Sequence, residues 1–150
     1  YRLPESQLDR FLMRLSLGYP DAESEQQLLA GTDPRDLALN LAPVVSAEAL
    51  LEYMAAARAV HVAEPVIAYV VALLAFSRED SRFAGGLSPR AGRGLLAAAR
   101  AFALLEGRDH VLPDDVLAVL AACIDHRLEP ADETLREPPS AIIRAGVDPL

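Results

Sequence analysis

Two short segments contain arginines at positions that helix packing alone does not explain. Arg10 lies in the segment LPESQLDRF, residues 3–11, where a short helix is predicted to lead into a strand. Arg90 follows Ser88 and Pro89 and is the second residue of a predicted helix, where a positive charge opposes the helix dipole. A bound anion would reverse that cost, because the first-turn N–H groups and the guanidinium would both face negative charge.

Arg93 and Arg100 extend this pattern along the same predicted helix. At about 100° per residue, Arg90, Arg93 and Arg100 fall on one polar stripe of the helix. Such a stripe is most often a solvated face, and that interpretation stays open beside anion binding. We therefore take Arg10 and Arg90 as the leading candidates and Arg93 as a candidate of second rank.

The charged residues exclude several classes of function. All 14 basic residues are arginine, so the chain contains no lysine for a phosphate-binding loop, a Schiff base or a kinase site. With 22 acidic residues the net charge is −8, which disfavours binding to a nucleic acid backbone.

Composition predicts one mainly α-helical protein that does not cross a membrane. Its 150 residues are 52% apolar, and they are dominated by alanine and leucine, which favour helices. No apolar run reaches the roughly 18 residues that a membrane span needs. The one cysteine, Cys123, fits a reducing, cytoplasmic setting, and with His126 it offers too few ligands for a metal site, so we predict none.

Proline, glycine and capping residues divide the chain into one strand and several helices. Alternating residues predict a strand at Leu12–Leu17, whose pairing partners are expected outside this chain. Asp21, Ser46 and Ser88 are predicted to cap helices. The helix from Pro65 through Phe76 is apolar on nearly every side, which predicts a central, buried helix.

These elements predict three regions. Residues 1–20 are expected to be the end of a different domain, 21–129 a bundle of helices, and 130–150 a loosely ordered tail in which 141–144 form one docked turn. The chain does not start with methionine, so we expect it to be a piece of a longer protein.

The segment LPESQLDRFLMRLSLGYPD, followed by GLSPRA and then LLAAARAFALLEGRDHVLPDDV, resembles the C-terminal part of MoxR-type AAA+ ATPases. The resemblance covers residues 1–128 and implies a mainly α fold, in which a lid-type helical bundle follows one N-terminal strand of the α/β ATPase core. Leu112 stands where these proteins usually carry a capping Thr or Ser, and we expect Asp114 and Asp115 to offset that loss.

The resemblance implies roles for the candidate arginines. Arg10 matches the arginine finger that reaches the γ-phosphate of a neighbouring subunit, and Arg90 matches the sensor-2 arginine that faces the nucleotide of its own subunit. The implied whole protein binds ATP and Mg²⁺ mainly through an upstream core and forms a homo-oligomeric ring, usually a hexamer. It remodels or matures client proteins together with von Willebrand A-domain proteins. The chain alone is expected to be inactive, because it lacks the phosphate-binding loop.

Two other interpretations remain open from the sequence. The chain could be a helical protein-interaction module that is independent of nucleotide, or it could be the lid of a related AAA+ group such as the magnesium-chelatase proteins. An upstream phosphate-binding loop in the same protein would exclude the interaction module.

Overall fold

Helices form the regular structure of the part of the chain that the computed structural model describes, which is residues 3–31, 34–132 and 134–149. Their bounds are α1 Glu5–Leu8, α2 Ala22–Ala30, α3 Pro34–Leu39, α4 Ala47–Ala59, α5 Glu64–Glu79, α6 Pro89–Leu105, α7 Pro113–Ile124 and α8 Pro139–Gly146. The mainly α fold predicted from the sequence is therefore confirmed. No described helix is both long and apolar enough to span a bilayer.

The strand predicted at Leu12–Leu17 is not formed in this structure. Residues 13–20 carry no regular secondary structure, and no other strand among the described residues offers them a ladder. The backbone N–H of Arg14 instead donates to the carbonyl oxygen of Ala122 in α7, at 2.8 Å. A strand that has no partner leaves its backbone groups to other acceptors or to water, which explains the difference.

The chain divides into two compact units that differ from the predicted regions. One unit contains residues 1–14 together with 54–150, and the other contains residues 15–53. In the second unit the side chain of Asp21 caps α2 by accepting from Ser24 N at 2.8 Å, and Ser46 Oγ accepts from Ala49 N at 3.1 Å. Both predicted caps are thus confirmed, although no described side chain of this unit is buried.

The first unit holds the hydrophobic core, in which α7 packs against α6 and α8 while α5 packs against all three. Small residues let the helices approach closely: a Cβ built on Gly92 of α6 would lie only 2.7 Å from Leu74 Cδ1 of α5. The core also contains fully buried side chains from each helix, among them Leu73, Leu95, Val116 and Ile142.

The prediction that α5 is a central, buried helix is wrong for one of its faces. Val66, Tyr69, Val70 and Leu73 are buried, but Ile67 and Val71 on the opposite face are 43% and 57% exposed. A sequence that is apolar all round does not determine which faces of a helix find a neighbour, and here only one does.

The prediction of a loosely ordered tail is wrong over α8. Ile142 and Ile143 are 1% and 0% exposed, so the helix packs into the core. Its N-terminus is fixed to the end of α7, because the Asp125 carboxylate accepts from Ser140 N at 2.7 Å and from Ser140 Oγ at 3.0 Å. The docked turn predicted within 141–144 is part of this longer helix.

A buried carboxylate connects the end of α6 to the start of α7. Asp115, whose side chain is 2% exposed, accepts two hydrogen bonds from the Arg108 guanidinium at 2.5 Å. It also accepts from Leu112 N at 2.8 Å, which is the bond that the third residue of a helix makes back to the N-cap in a capping box, although the Leu112 side chain itself caps nothing. The hydrogen bonds from Arg108 hold the pKa of Asp115 below its ordinary value, so Asp115 is ionised at neutral pH.

We expect Asp115→Asn to lower the free energy of unfolding by about 2 kcal/mol at pH 7, because it removes hydrogen bonds to a charged group and leaves Arg108 without its partner. The folded pKa lies below the unfolded value of about 3.9, so this contribution is present above that pH and is lost as the pH falls through the folded pKa. Urea unfolding at pH 7 and pH 3 should show the difference between variant and wild type shrinking at the lower pH. Asp114→Asn, the same change at the exposed neighbour, should cost little, and an equal cost there would contradict the assignment.

We expect Ile143→Ala to lower the free energy of unfolding by about 2–5 kcal/mol, because it removes a fully buried side chain and leaves a cavity. Leu105→Ala is the matched control, since Leu105 is 84% exposed and should change stability by less than about 0.5 kcal/mol. Urea unfolding measures both, and an unchanged stability for Ile143→Ala would contradict the docking of α8.

Candidate functional site

Three stretches of the first unit form one open cleft of about 410 Å³ that arginine side chains line. The loop after α1, the first turns of α6 and the turn that follows α7 contribute, and the lining residues are Asp9, Arg10, Leu12, Arg90, Arg93, Gly94 and Arg127. Residues far apart in the sequence thus place four guanidinium groups and one carboxylate around the same space.

The loop between α5 and α6 fixes the start of α6, where Arg90 lies. Ser77 Oγ donates to Leu74 O at 2.7 Å and accepts from Leu87 N at 3.0 Å, while Arg78 Nε donates to Leu87 O at 3.0 Å. Ser88 Oγ then accepts from Ala91 N at 3.1 Å, which confirms the predicted cap. The first turn of α6 is therefore held at both the loop and the cap.

The loop that carries Arg10 is held by Asp9. Both oxygens of the Asp9 carboxylate accept from Ser88 Oγ, at 3.0 and 3.1 Å, and Arg127 Nη1 donates to Asp9 Oδ1 at 3.1 Å. The residue before Arg10 is consequently bonded to the cap of the helix that carries Arg90.

Arg127 also holds the chain on the other side of Arg10. Its Nη2 donates to Phe11 O at 2.6 Å, and His126 Nε2 lies 3.1 Å from the same carbonyl oxygen. The side chain of Arg127 is 4% exposed, so its charge is compensated by these partners and not by water.

The remaining three guanidinium groups of the cleft face solvent. Arg10, Arg90 and Arg93 are exposed, and no carboxylate in the described part of the chain forms an ion pair with them. Asp9, the acid that lines the cleft with them, already accepts from Ser88 and Arg127. The cleft is therefore a concentration of positive charge on a chain whose net charge is −8, and it suits a polyanion such as a phosphate chain.

The structure brings Arg10, Arg90 and Arg93 together but leaves Arg100 out of the cleft. The Nε atom of Arg100 is buried further along α6, without a hydrogen-bond partner among the described residues. The polar stripe predicted on α6 thus divides into a cleft-lining part and a part that does not reach the cleft.

Sequence reasoning missed Asp9 and Arg127 as parts of this site. Their contact joins positions 118 residues apart, and no local pattern reports such a pair. The sequence offered only their residue types as a signal. Asp9 is an acidic residue beside a candidate arginine, and Arg127 is a basic residue near the end of α7.

Cys123 is a buried core residue, in line with its place in an apolar run of α7. It is 1% exposed, and burial raises the pKa of its thiol. A thiol in this environment is neutral and unreactive near neutral pH.

Comparisons with known proteins agree in pointing to one family. Residues 75–145 match the AAA lid domain. The chain is 35% identical to the chaperone MoxR1 of Mycobacterium tuberculosis over 85% of its length, and 36% identical to the protein MoxR of Paracoccus denitrificans over 99% of its length. It covers 36% of the first relative and 49% of the second, so it spans less than half the length of these proteins.

A solved structure gives the same result for the fold. The chain is 29% identical to a candidate ATPase from Cytophaga hutchinsonii, with a TM-score of 0.77 over 97% of this chain and 47% of that one.

Proposed function

The chain belongs to the MoxR-type AAA+ ATPases, where it corresponds to the end of the ATPase core and the helical lid, and on this premise we propose that its arginine cleft binds the phosphates of ATP during hydrolysis. The observation that carries the proposal is the convergence of Arg10, Arg90 and Arg93, exposed and without carboxylate partners in the described residues, on one cleft. Phosphoryl transfer needs such groups, because negative charge spreads over the oxygens of the transferred phosphoryl group.

The shared cleft indicates which subunit's nucleotide Arg10 and Arg90 act on. From the resemblance we expected Arg10 to serve the nucleotide of a neighbouring subunit and Arg90 that of its own. Because both line the same cleft of one unit, we propose instead that they act on one γ-phosphate. The role of Arg10 as a finger puts that phosphate in the neighbouring subunit, and Arg93 adds a third positive charge beside it.

The residues of the cleft fit a polyphosphate better than they fit a metal ion. A single guanidinium group can donate two parallel hydrogen bonds to the oxygens of a phosphate, and Arg90 and Arg93 each carry such a group. Mg²⁺ needs oxygen ligands, and the one carboxylate that lines the cleft among the described residues, that of Asp9, is already bonded to Ser88 and Arg127. We therefore assign ATP and Mg²⁺ binding mainly to a core outside this chain, and we expect the chain alone not to hydrolyse ATP.

The wider role follows from the family and from the name of one relative. We propose a homo-oligomeric ring, a hexamer by family resemblance, that works in the cytoplasm as a chaperone for protein clients, with von Willebrand A-domain proteins as partners. The chaperone name belongs to the relative from Mycobacterium tuberculosis, and its transfer to this protein is part of the proposal. A ring also gives Arg10 a neighbour whose nucleotide it can reach.

In the full-length protein, we expect Arg10→Ala to lower ATP turnover by about 10³-fold, because an arginine finger stabilises charge that develops only in the transition state. The Kd for a non-hydrolysable ATP analogue should change little. When Arg10→Ala subunits are mixed with subunits whose upstream nucleotide-binding core is inactivated, part of the rate should return, since the intact Arg10 of one subunit completes the intact core of another.

Arg14→Ala is the matched control for that experiment, because Arg14 is an exposed arginine of the same segment and does not line the cleft. No return of rate in that mixture would contradict action across an interface. The absence of turnover in the wild-type protein with Mg²⁺ present would favour a nucleotide-independent interaction module.

We expect Arg90→Ala to be complemented by wild-type neighbours in the same way as Arg10→Ala, because both act on one γ-phosphate. Turnover measured on mixtures of Arg10→Ala with Arg90→Ala subunits checks this. If both arginines of a subunit serve the same neighbouring site, every mixed site still lacks one arginine, so mixing should restore no activity beyond that of the two variants alone. Mixtures of Arg10→Ala with Arg58→Ala, a change at an exposed arginine of α4, are the control and should keep the activity of their Arg58→Ala subunits. If the two variants rescue each other at interfaces where one subunit supplies Arg10 and another supplies Arg90, the shared-site assignment is wrong.

A further inference from the structure

The carboxylate of Asp9 connects the loop that carries Arg10 to the cap of α6 and to Arg127. It accepts from Ser88 Oγ through both oxygens, at 3.0 and 3.1 Å, and from Arg127 Nη1 at 3.1 Å. Its side chain is 28% exposed and the Arg127 side chain 4% exposed, so the ion pair is largely removed from water. A pair in this setting keeps its geometry better than one on the surface.

Each partner of Asp9 is connected to one of the candidate arginines. Ser88 is the cap of α6 and lies two positions before Arg90, so Asp9 is bonded to the helix start that sets the position of Arg90. Arg127 donates to Phe11 O at 2.6 Å and to Leu12 O at 3.5 Å, so it holds the backbone that follows Arg10. The chain is thus bonded immediately before and immediately after Arg10.

The approach of α6 to this loop is close. A Cβ built on Gly94 would lie 3.1 Å from Leu12 Cδ1 and 3.7 Å from Arg127 Nη2. A glycine inside a helix costs about 1 kcal/mol relative to alanine, yet here it leaves space for Leu12 beside Arg127. The loop that carries Arg10 therefore rests directly on the helix that carries Arg90 and Arg93.

We propose that Asp9, Ser88 and Arg127 form a clamp of positioning residues that fixes Arg10 relative to Arg90 for action on one phosphate. The proposal rests on the function proposed above and adds these three residues to it. None of them needs to touch the nucleotide, because their role is to keep the two guanidinium groups at a set separation. Misplacement of a catalytic group by about 1 Å can cost about 100-fold in rate, so the clamp should affect turnover far more than binding.

Charge and position make opposite predictions for Asp9→Asn, which makes this variant the sharpest test. Removal of the Asp9 carboxylate makes the cleft more positive, so electrostatics alone predicts equal or tighter binding of ATP and no loss of rate. Loss of the ion pair to Arg127 releases the loop, so the clamp predicts a fall in kcat of about 100-fold, with the Kd for a non-hydrolysable ATP analogue unchanged or lower.

The experiment measures kcat, that Kd and amide hydrogen exchange over residues 10–13 in the full-length protein. Asp109→Asn is the matched control, because Asp109 is fully exposed outside the cleft and its loss changes the net charge equally. Faster exchange over 10–13 together with a lower kcat supports the clamp. An unchanged kcat in a folded Asp9→Asn protein overturns it.

Two variants of Ser88 keep the proposal testable if Asp9→Asn fails to fold. Ser88→Gly retains most of the capping preference but loses the hydroxyl that donates to Asp9, whereas Ser88→Thr retains the hydroxyl. We expect a lower kcat for Ser88→Gly and a kcat near that of wild type for Ser88→Thr. Equal values of kcat in the two variants overturn the clamp.

Failure of the clamp can be distinguished from failure of the proposed function. Wild-type turnover and its loss in Arg10→Ala are measured first. If they are absent, the proposed function fails whatever Asp9→Asn does. If they are present while Asp9→Asn and Ser88→Gly match wild type, the clamp alone fails.

Discussion

The buried guanidinium of Arg127 is the constraint on which the geometry of the cleft depends. A charge that is 4% exposed has to be compensated locally, and Arg127 meets this need with the Asp9 carboxylate and the carbonyl oxygen of Phe11. Both partners belong to the loop that carries Arg10. Since α7 packs against α6, the desolvation of one side chain ties this loop to the lid helices and brings Arg10 to the side of Arg90.

The cleft combines this compensated charge with charges that are left without partners. Asp9 forms an ion pair with Arg127, the arginine that bonds the loop after α1. Arg10, Arg90 and Arg93 stay exposed with no carboxylate partner in the described residues. Such an arrangement holds the backbone on which the three arginines lie, so under the proposed function little backbone reorganisation would be needed when a polyanion binds. On an acidic chain, this local excess of positive charge would attract the phosphate groups that the proposed function assigns to the cleft.

The local parts of this arrangement could be predicted from the sequence, and the distant parts could not. Ser88 and Pro89 are residue types that favour the N-cap and the first position of a helix, so the cap of α6 and the exposed position of Arg90 were predictable. The partner of Arg127 lies 118 positions away, and its identity depends on how α7 packs. The burial of α5 failed for a related reason, because apolar residues such as Ile67 and Val71 show that a face could be buried and not that a neighbour covers it.

In residues 130–150 the error is the reverse one, because a segment predicted to be loosely ordered is packed into the core. Its prolines and acidic residues are typical of loosely ordered chain, yet they lie around Ile142 and Ile143, which α8 buries completely. The contact that fixes α8 is again made at the end of α7, where the Asp125 carboxylate accepts from Ser140. Arg127, two residues further along the chain, bonds the loop that carries Arg10. The residues that directly follow α7 therefore fix two segments from opposite ends of the chain. A displacement of this helix end would reach the cleft through Arg127 and α8 through Asp125, which makes it the place where the cleft and the packing of the tail are mechanically connected.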